Sequence, residues 1–348
     1  MSVMTVLGRV PPSELGVVTP HEHIFIDMSV FFVEPEEVSK RTMAHGPVTI
    51  ETLGVLRRNP FAVLDNLRMT DKKTQIRELN HFRFAGGRTV VDATNHGLGR
   101  DPELLREVSH RTGLHVVAGS GYYVEGAQAP EIRALSVEKM EEDIVRDLEV
   151  GIGHTGIRAG VIGEIGVSHI MYPFERKSLT AACRAQRKTG APLLVHINPW
   201  STQGYQAMEL IEEHKVDPQK VVVCHSDVEN REDYIFDILD RGAYIEFDNF
   251  GKEMATDLWD VRPGSGRFAT DWERVHLLKK IIDRGYEKQL LFSCDVCLKS
   301  LLRAYGGWGY DHVIAHILPM LREVGVREET IEEIMVHNPA RWLDYDAK

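Results

Sequence analysis

Short apolar runs alternate along the chain with longer segments in which hydrophobic residues recur at helical spacing. The runs are rich in β-branched residues and almost continuously apolar, as in Val221-Val222-Val223. That pattern is typical of parallel strands covered on both faces, whereas strands with one wet face alternate apolar and polar positions. Eight such runs are predicted to be strands: residues 15–25, 88–94, 115–123, 159–168, 192–198, 220–227, 243–250 and 289–296.

The segments between these runs are predicted to be helices. In the stretch 136–150, Ser136 is a suitable N-cap, and Met140, Ile144 and Leu148 recur on one face. The other predicted helices are residues 71–85, 101–112, 174–189, 204–214, 231–241 and 271–284, with a closing helical region over 313–324 and 328–336.

Eight strands that alternate with helices predict an α/β fold, and eight is the number that closes a (β/α)8 TIM barrel. A doubly wound open sheet is the alternative, but no Gly-x-Gly-x-x-Gly sequence opens a helix. We therefore expect a single barrel domain over residues 1–348. Two long connections, at about 28–66 and 251–270, are expected to be functional loops, because connections of that length without clear structure are otherwise uncommon.

The composition adds limits on function. The chain has 348 residues, of which 43% are hydrophobic and 27% charged, enough apolar content for a large core. Its formal net charge of −11 argues against nucleic-acid binding, because phosphate backbones require a basic surface. It has no apolar run of about 18 residues and no signal-peptide pattern, so we expect neither a membrane span nor export. Four cysteines are too few for a disulfide framework, which favours a cytoplasmic protein.

Polar residues stand at the carboxyl ends of five predicted strands, where barrel enzymes place their active sites. As residues i and i+2 of a strand, His21 and His23 should project side by side, with Glu22 turned away. Alternation likewise predicts that Cys224 points away from the side on which His225 lies. The polar residues at the strand ends are His21, His23, Glu164, His196, His225 and Asp295.

Each of these residues alone could be a core polar group satisfied by hydrogen bonds. Together, four histidines and two carboxylates exceed the needs of one tetrahedral metal and suit two divalent ions bridged by a carboxylate. The donor set favours zinc, and manganese, cobalt or iron are also compatible. Two ions about 3.5–4 Å apart would hold a water between them and depress its pKa toward neutrality, which produces a hydroxide nucleophile.

The chain resembles the phosphotriesterase family of the amidohydrolase superfamily over almost its whole length, from Thr5-Val-Leu-Gly to Asn338-Pro-Ala-Arg-Trp. Glu164 stands where the best-known members carry a carboxylated lysine, and its Gly-Glu-Ile-Gly context is similar to the phosphotriesterase-related subgroup. The resemblance implies three sets of metal ligands: His21, His23 and Asp295 for one ion, His196 and His225 for the other, and Glu164 as the bridge.

The resemblance also implies a hydrolytic reaction and a homodimer. The bridging hydroxide is expected to attack the carbonyl of a lactone, ester or N-acyl amide, or a phosphoester, while Asp295 accepts its proton. Tyr123, at the end of the third predicted strand, is expected to donate a hydrogen bond to the developing oxyanion. The loop candidates for binding the small-molecule substrate are Arg262, Arg267, Trp308 and Tyr310, with the arginines facing an anionic group.

Two other functions fit the same barrel. A binding protein would use it as a scaffold without catalysis, although the complete ligand set argues against a decayed site. A lyase or isomerase would use one metal ion instead of two. Metal content separates these hypotheses, since only the binuclear hydrolase requires two ions per chain.

Overall fold

The computed structural model describes residues 2–254 and 266–345. All eight predicted runs contain strands, and these strands form one parallel sheet. Numbered β1 to β8 in chain order, they are Val17–Glu22, Gly87–Asp92, His115–Ser120, Val161–Val167, Leu193–Ile197, Val221–Val223, Tyr244–Phe247 and Leu290–Phe292. Each strand is shorter than its predicted run because the apolar pattern continues into the flanking turns.

Helices lie between successive strands of the sheet. The helix predicted over 136–150 is observed as Val137–Glu149, and the Ser136 hydroxyl accepts a hydrogen bond from the Lys139 N–H, as expected of an N-cap. The other long helices are Lys72–Phe84, Pro102–Thr112, Pro173–Thr189, Gly204–Glu213, Glu232–Asp240 and Asp271–Asp283. The closing region consists of shorter pieces, Val313–Ile317, Leu318–Glu323, Glu328–Glu332, Glu333–His337 and Asn338–Leu343.

The sheet follows chain order from β1 to β8 and curves back on itself. Between its two ends, the Asp295 N–H donates to the His21 carbonyl at 3.2 Å. Inside the sheet, aliphatic side chains such as Val91, Val161 and Leu194 are fully buried against one another. The predicted (β/α)8 barrel is confirmed, and the open doubly wound alternative is not what the chain forms.

Smaller elements flank the barrel. Two short antiparallel pairs join Val3–Thr5 to Gly8–Val10 and Ile26–Asp27 to Arg68–Met69. A short helix, Pro130–Arg133, follows β3. Within residues 2–254 and 266–345, no helix combines the length and the apolar content that crossing a bilayer would require.

The first long connection contains short helices over Val38–Ala44 and Leu53–Leu56 and a small apolar cluster of its own. Its end is fixed to the segment after β8, because the Ser300 N–H donates to the side chain of Asn66 at 2.8 Å. This attachment holds the loop beside the carboxyl ends of the strands. The second long connection includes residues 255–265, which lie outside the described residues.

A fully buried arginine joins the end of β6 to the helix that follows β7. Arg274 Nε lies 2.8 Å from Asp227 Oδ2, and its Nη1 lies 2.9 Å from Asp271 Oδ1. Removing one member of a buried ion pair leaves the other charge unpaired, which typically costs about 3–5 kcal/mol. We predict that Arg274→Met lowers the free energy of unfolding by about 3 kcal/mol or more, measured by urea denaturation.

Arg267→Met is the matched control for this variant. Arg267 pairs with Glu273 at 3.2 Å, but its side chain is 70% exposed. Such a pair contributes at most about 1 kcal/mol, because water already solvates both charges. Equally small losses in the two variants would contradict the importance that we assign to the buried pair.

Candidate metal centre

β1 places its two histidines side by side at the carboxyl end of the barrel. His21 and His23 are 0% and 2% exposed, and their ring centroids lie 5.5 Å apart. Between them, Glu22 points the other way and accepts hydrogen bonds from the N–H groups of Cys294 and Val296, at 2.9 and 2.7 Å. The alternation expected of a strand therefore holds here, and Glu22 fastens the residues after β8 to β1.

Two carboxylates face this histidine pair, one from β4 and one from the residues after β8. Glu164 Oε1 lies 3.3 Å from His23 Nε2, and Glu164 Oε2 lies 3.5 Å from His21 Nε2. Asp295 Oδ1 lies 3.2 Å from the same His23 nitrogen. Both carboxylates are buried, so the histidines replace the water that would otherwise solvate them.

Two more histidines complete the cluster, one from β5 and one from the residues after β6. His196 Nδ1 lies 3.0 Å from Glu164 Oε2, and His225 Nε2 lies 2.8 Å from that same nitrogen. The distance from His225 Nε2 to Glu164 Oε2 is 3.9 Å. Glu164 therefore stands between the histidines of β1 and this second pair.

Two of the cluster residues have left-handed backbone. His225 has φ = 58° and Asp295 has φ = 44°, a conformation that costs a non-glycine residue about 1–3 kcal/mol. The turn at His225 directs its ring toward Asp248, and the Cys224 thiol lies near the same carboxylate. The prediction that Cys224 points away from the side of His225 was wrong, because alternation holds only while the backbone stays extended.

Mutual pairing shifts the pKa values of the cluster. Burial alone would lower the pKa of His23, but hydrogen bonds to Asp295 and Glu164 raise it to about 9. Burial alone would raise the pKa of Glu164, but His21 and His196 hold it well below its usual range. The carboxylates are therefore kept ionised inside the barrel, which is the state in which they could bind a cation.

The geometry of the cluster fits a metal ion. His21 Nε2 is buried and has no hydrogen-bond partner in the described part of the chain, which costs free energy unless a ligand binds it. Atoms of His21, His23 and Asp295 lie within 4.8 Å of one another, and so do atoms of His21, Glu164 and His225. Donors that surround a zinc ion at about 2.0–2.2 Å are separated by comparable distances.

Sequence reasoning missed two further acidic residues behind the histidines, one in β7 and one directly after it. Glu246 and Asp248 are both 0% exposed and face the Nδ1 atoms of His21 and His225. Burial raises the pKa of Glu246 to about 7. The signal was present in the sequence, since two acids at alternate positions of a mostly apolar run are costly to bury without partners.

A cavity of about 250 Å³ opens onto the cluster and is lined by His196, His225 and Asp295. Lys252 also lines it, and its ammonium group contacts the Asp295 carboxylate. The rest of the wall is largely apolar and includes Met28, Phe31, Phe61, Trp200, Phe268 and Leu298. A substrate in this cavity would meet the cluster on one side and aromatic or aliphatic surface on the others.

Tyr123 lies on the cavity wall beside the cluster. Its hydroxyl oxygen is 3.3 Å from Nε2 of His196. Burial raises the pKa of this phenol well above its usual range, so the hydroxyl keeps its proton and can act as a hydrogen-bond donor. A protonated hydroxyl on the cavity wall is the kind of group that can stabilise an oxyanion.

The two arginines predicted to bind substrate do not appear in the described cavity wall. Arg267 points toward solvent and pairs with Glu273 on the next helix. Arg262 lies outside the described residues. Lys252 is therefore the cationic side chain that the described residues bring to the cavity.

The two aromatic residues predicted to bind substrate lie elsewhere. Trp308 packs against His312, with ring centroids 5.1 Å apart, and lines a separate cavity with Leu53 and Leu56 of the first long loop. Tyr310 is 1% exposed, and its hydroxyl donates to the backbone carbonyl of His23 at 2.8 Å. Tyr310 thus supports the backbone of a cluster residue instead of facing a substrate.

Comparison with known proteins gives this cluster a family context. A family model described as the phosphotriesterase family matches residues 1–343. An N-acetyltaurine hydrolase from Salmo salar is 32% identical over 349 residues, which cover 99% of this chain and 98% of that protein.

Solved structures agree with this match. A resiniferatoxin-binding protein from Rhodobacter sphaeroides has a TM-score of 0.94 at 36% identity, covering 100% of this chain and 96% of that one. A mutant of a phosphotriesterase-like lactonase from Deinococcus radiodurans has a TM-score of 0.76 at 29% identity, covering 98% and 100%. The chain belongs to the phosphotriesterase family and is a hydrolase of that family.

Proposed function

We propose that this chain is a binuclear metal-dependent hydrolase that acts on the carbonyl group of a small lactone, ester or N-acyl amide. The observation that carries the proposal is that six ligand-type side chains form one buried cluster, in which Nε2 of His21 has no hydrogen-bond partner among the described residues. In this proposal, His21, His23 and Asp295 would hold the first ion, His196 and His225 the second, and Glu164, which lies between the two groups, would bind both. Histidine and carboxylate donors suit zinc.

The chain's own residues then have distinct tasks. When bound, the ions supply Lewis-acid polarisation of the carbonyl and lower the pKa of a bound water toward neutrality. Asp295 lines the cavity, and we propose that it accepts the proton of the attacking water. Tyr123 donates its hydroxyl hydrogen to the oxygen on which negative charge develops. The apolar wall excludes water and thereby strengthens these electrostatic interactions.

The shape and polarity of the described cavity wall favour a compact substrate with a neutral acyl group. The cavity volume of about 250 Å³ is slightly below the range of about 300–1,000 Å³ typical of ligand pockets. The ammonium group of Lys252 is already paired with Asp295 and is not free to hold a distant anion. The names of two similar proteins, an N-acetyltaurine hydrolase and a lactonase, support an amide or a lactone as the scissile group.

A binding protein is the second candidate. The observation in its favour is the likeness, at a TM-score of 0.94, to a protein named for binding resiniferatoxin. Binding and hydrolysis are distinguished by incubating metal-loaded protein with ester and lactone ligands. Ligands recovered intact after prolonged incubation would favour the binding protein, whereas ring-opened or cleaved products support the hydrolase.

We predict that Glu164→Gln lowers metal affinity and hydrolysis by at least about 100-fold, because one variant weakens the donors of both ions. Metal content of the purified protein, measured by plasma mass spectrometry, should fall from two equivalents in the wild type. Glu142→Gln is the control, since that side chain is 71% exposed on a helix. Wild-type protein that takes up no tightly held metal would contradict the proposal.

We predict that Tyr123→Phe lowers kcat by about 100-fold and leaves KM and metal content nearly unchanged, because an oxyanion donor acts mainly in the transition state. Tyr122→Phe is the matched control. Its hydroxyl donates to Asp143 at 3.2 Å, in a different cavity. An equal effect of the two variants on kcat would show that Tyr123 acts only through packing.

We predict that the enzyme prefers neutral substrates to matched ones whose acyl group ends in a carboxylate, by at least about 10-fold in kcat/KM. The reason is that an added carboxylate would lose its hydration in an apolar cavity where the described residues offer only Lys252, which is already paired with Asp295. Pairs of lactones, esters and N-acyl amides, with phosphoesters for comparison, provide the measurement. Preference for the anionic member would instead support a role for Arg262.

A further inference from the structure

Strand β7 contributes no metal ligand to the proposed centre, yet two acids at its carboxyl end are completely buried beneath that centre. Glu246 lies in the strand, Asp248 is the first residue after it, and both are 0% exposed. A buried carboxylate without partners costs several kcal/mol. The contacts that these two acids make therefore indicate what they do.

Asp248 contacts a histidine of each proposed metal site. Its Oδ2 lies 3.3 Å from His21 Nδ1, and its Oδ1 lies 3.0 Å from His225 Nδ1. The backbone N–H of His225 also donates to Oδ2 at 3.0 Å, and the Asn249 side chain donates to Oδ1 at 2.6 Å. The carboxylate is thus held in place by two further donors while it faces both rings.

Glu246 contacts only one of the two histidines. Its Oε2 lies 3.2 Å from His21 Nδ1, so that nitrogen can share its hydrogen between Glu246 and Asp248. His225 Nδ1 is paired with Asp248. Glu246 therefore contacts the ring of His21 alone, whereas Asp248 contacts the rings of both His21 and His225.

We infer that Asp248 is a positioning residue shared by both metal sites, accepting the Nδ1 hydrogens of His21 and His225 so that each ring presents Nε2 to its ion. This inference rests on the proposed binuclear function. A hydrogen bond at one ring nitrogen fixes the tautomer and the orientation of the other nitrogen. A carboxylate has two oxygens and no hydrogen to donate, so it can serve two rings at once.

Asp248 contacts one histidine of each proposed metal site, so it restrains the orientation of ligands in both sites. His21 comes from β1 and His225 from the residues after β6. These two strands lie on opposite sides of β7 in the closed barrel. Asp248 restrains both from a single position at the end of β7. A change in its orientation would therefore alter the ligands of both ions together.

The test compares stepwise zinc affinity in chelator-stripped wild-type protein, Asp248→Ala and Glu246→Ala, measured by competition with a chromophoric chelator. Loss of such a supporting group typically costs about 10–100-fold in metal affinity. We expect Asp248→Ala to lower the affinity for both zinc ions by that factor, and Glu246→Ala to lower the affinity for one. Thermal unfolding of the metal-free proteins controls for a general loss of stability, and the visible spectra of cobalt-substituted proteins report the ligand geometry of each site.

Asp248→Asn keeps the shape of the side chain and decides the question if Asp248→Ala does not fold. Asparagine has one acceptor oxygen in place of two. We therefore expect the affinity for one zinc ion to fall and the affinity for the other to stay at its wild-type value. Wild-type affinity for both ions in Asp248→Asn, or loss of a single ion in Asp248→Ala, would overturn the inference. A wild-type protein that binds fewer than two ions would instead refute the proposed binuclear function itself.

Discussion

The structure depends on the cost of burying negative charge at the carboxyl end of the barrel. Glu164, Asp295, Glu246 and Asp248 are all almost completely buried. Isolated carboxylates could not remain ionised there, because low dielectric and lost hydration favour the neutral form. Lys252 beside Asp295 supplies one compensating charge, and the histidines supply the rest only when they are protonated. Divalent cations would balance the same negative charge while leaving the imidazoles neutral. The arrangement therefore suits a metal centre.

The barrel meets this constraint through the backbone as well as through side chains. Glu22, which faces away from the cluster, is satisfied by the N–H groups of Cys294 and Val296, so its charge also holds the segment that carries Asp295. Left-handed backbone at His225 and Asp295 then turns both side chains inward just after their strands end. The strain is local, and the interactions that offset it are the contacts of the cluster itself.

Sequence patterns predicted the parts of the molecule that depend on burial and strand position. Apolar runs located all eight strands, because strands covered on both faces leave little room for polar residues. The six cluster residues converge because the carboxyl ends of parallel strands meet at one face. The orientation of Cys224 was mispredicted where the chain left extended geometry. Glu246 and Asp248 were overlooked although two acids in a mostly apolar run require buried partners.

Residues outside the strands were harder to place, for a physical reason. A loop side chain is positioned by long-range contacts that have no periodic signature in the sequence, as when Tyr310 packs under β1 and binds the His23 carbonyl. The cavity wall is built from such residues, among them Phe31, Trp200 and Phe268. The residues proposed for the chemistry and those proposed for substrate selection therefore lie in different parts of the fold, the strand ends and the loops. In the proposed function, the strand ends hold the charged groups that would activate water, while the loops supply the apolar surface that would select the acyl group. The loop residues could then change without disturbing the strand-end cluster.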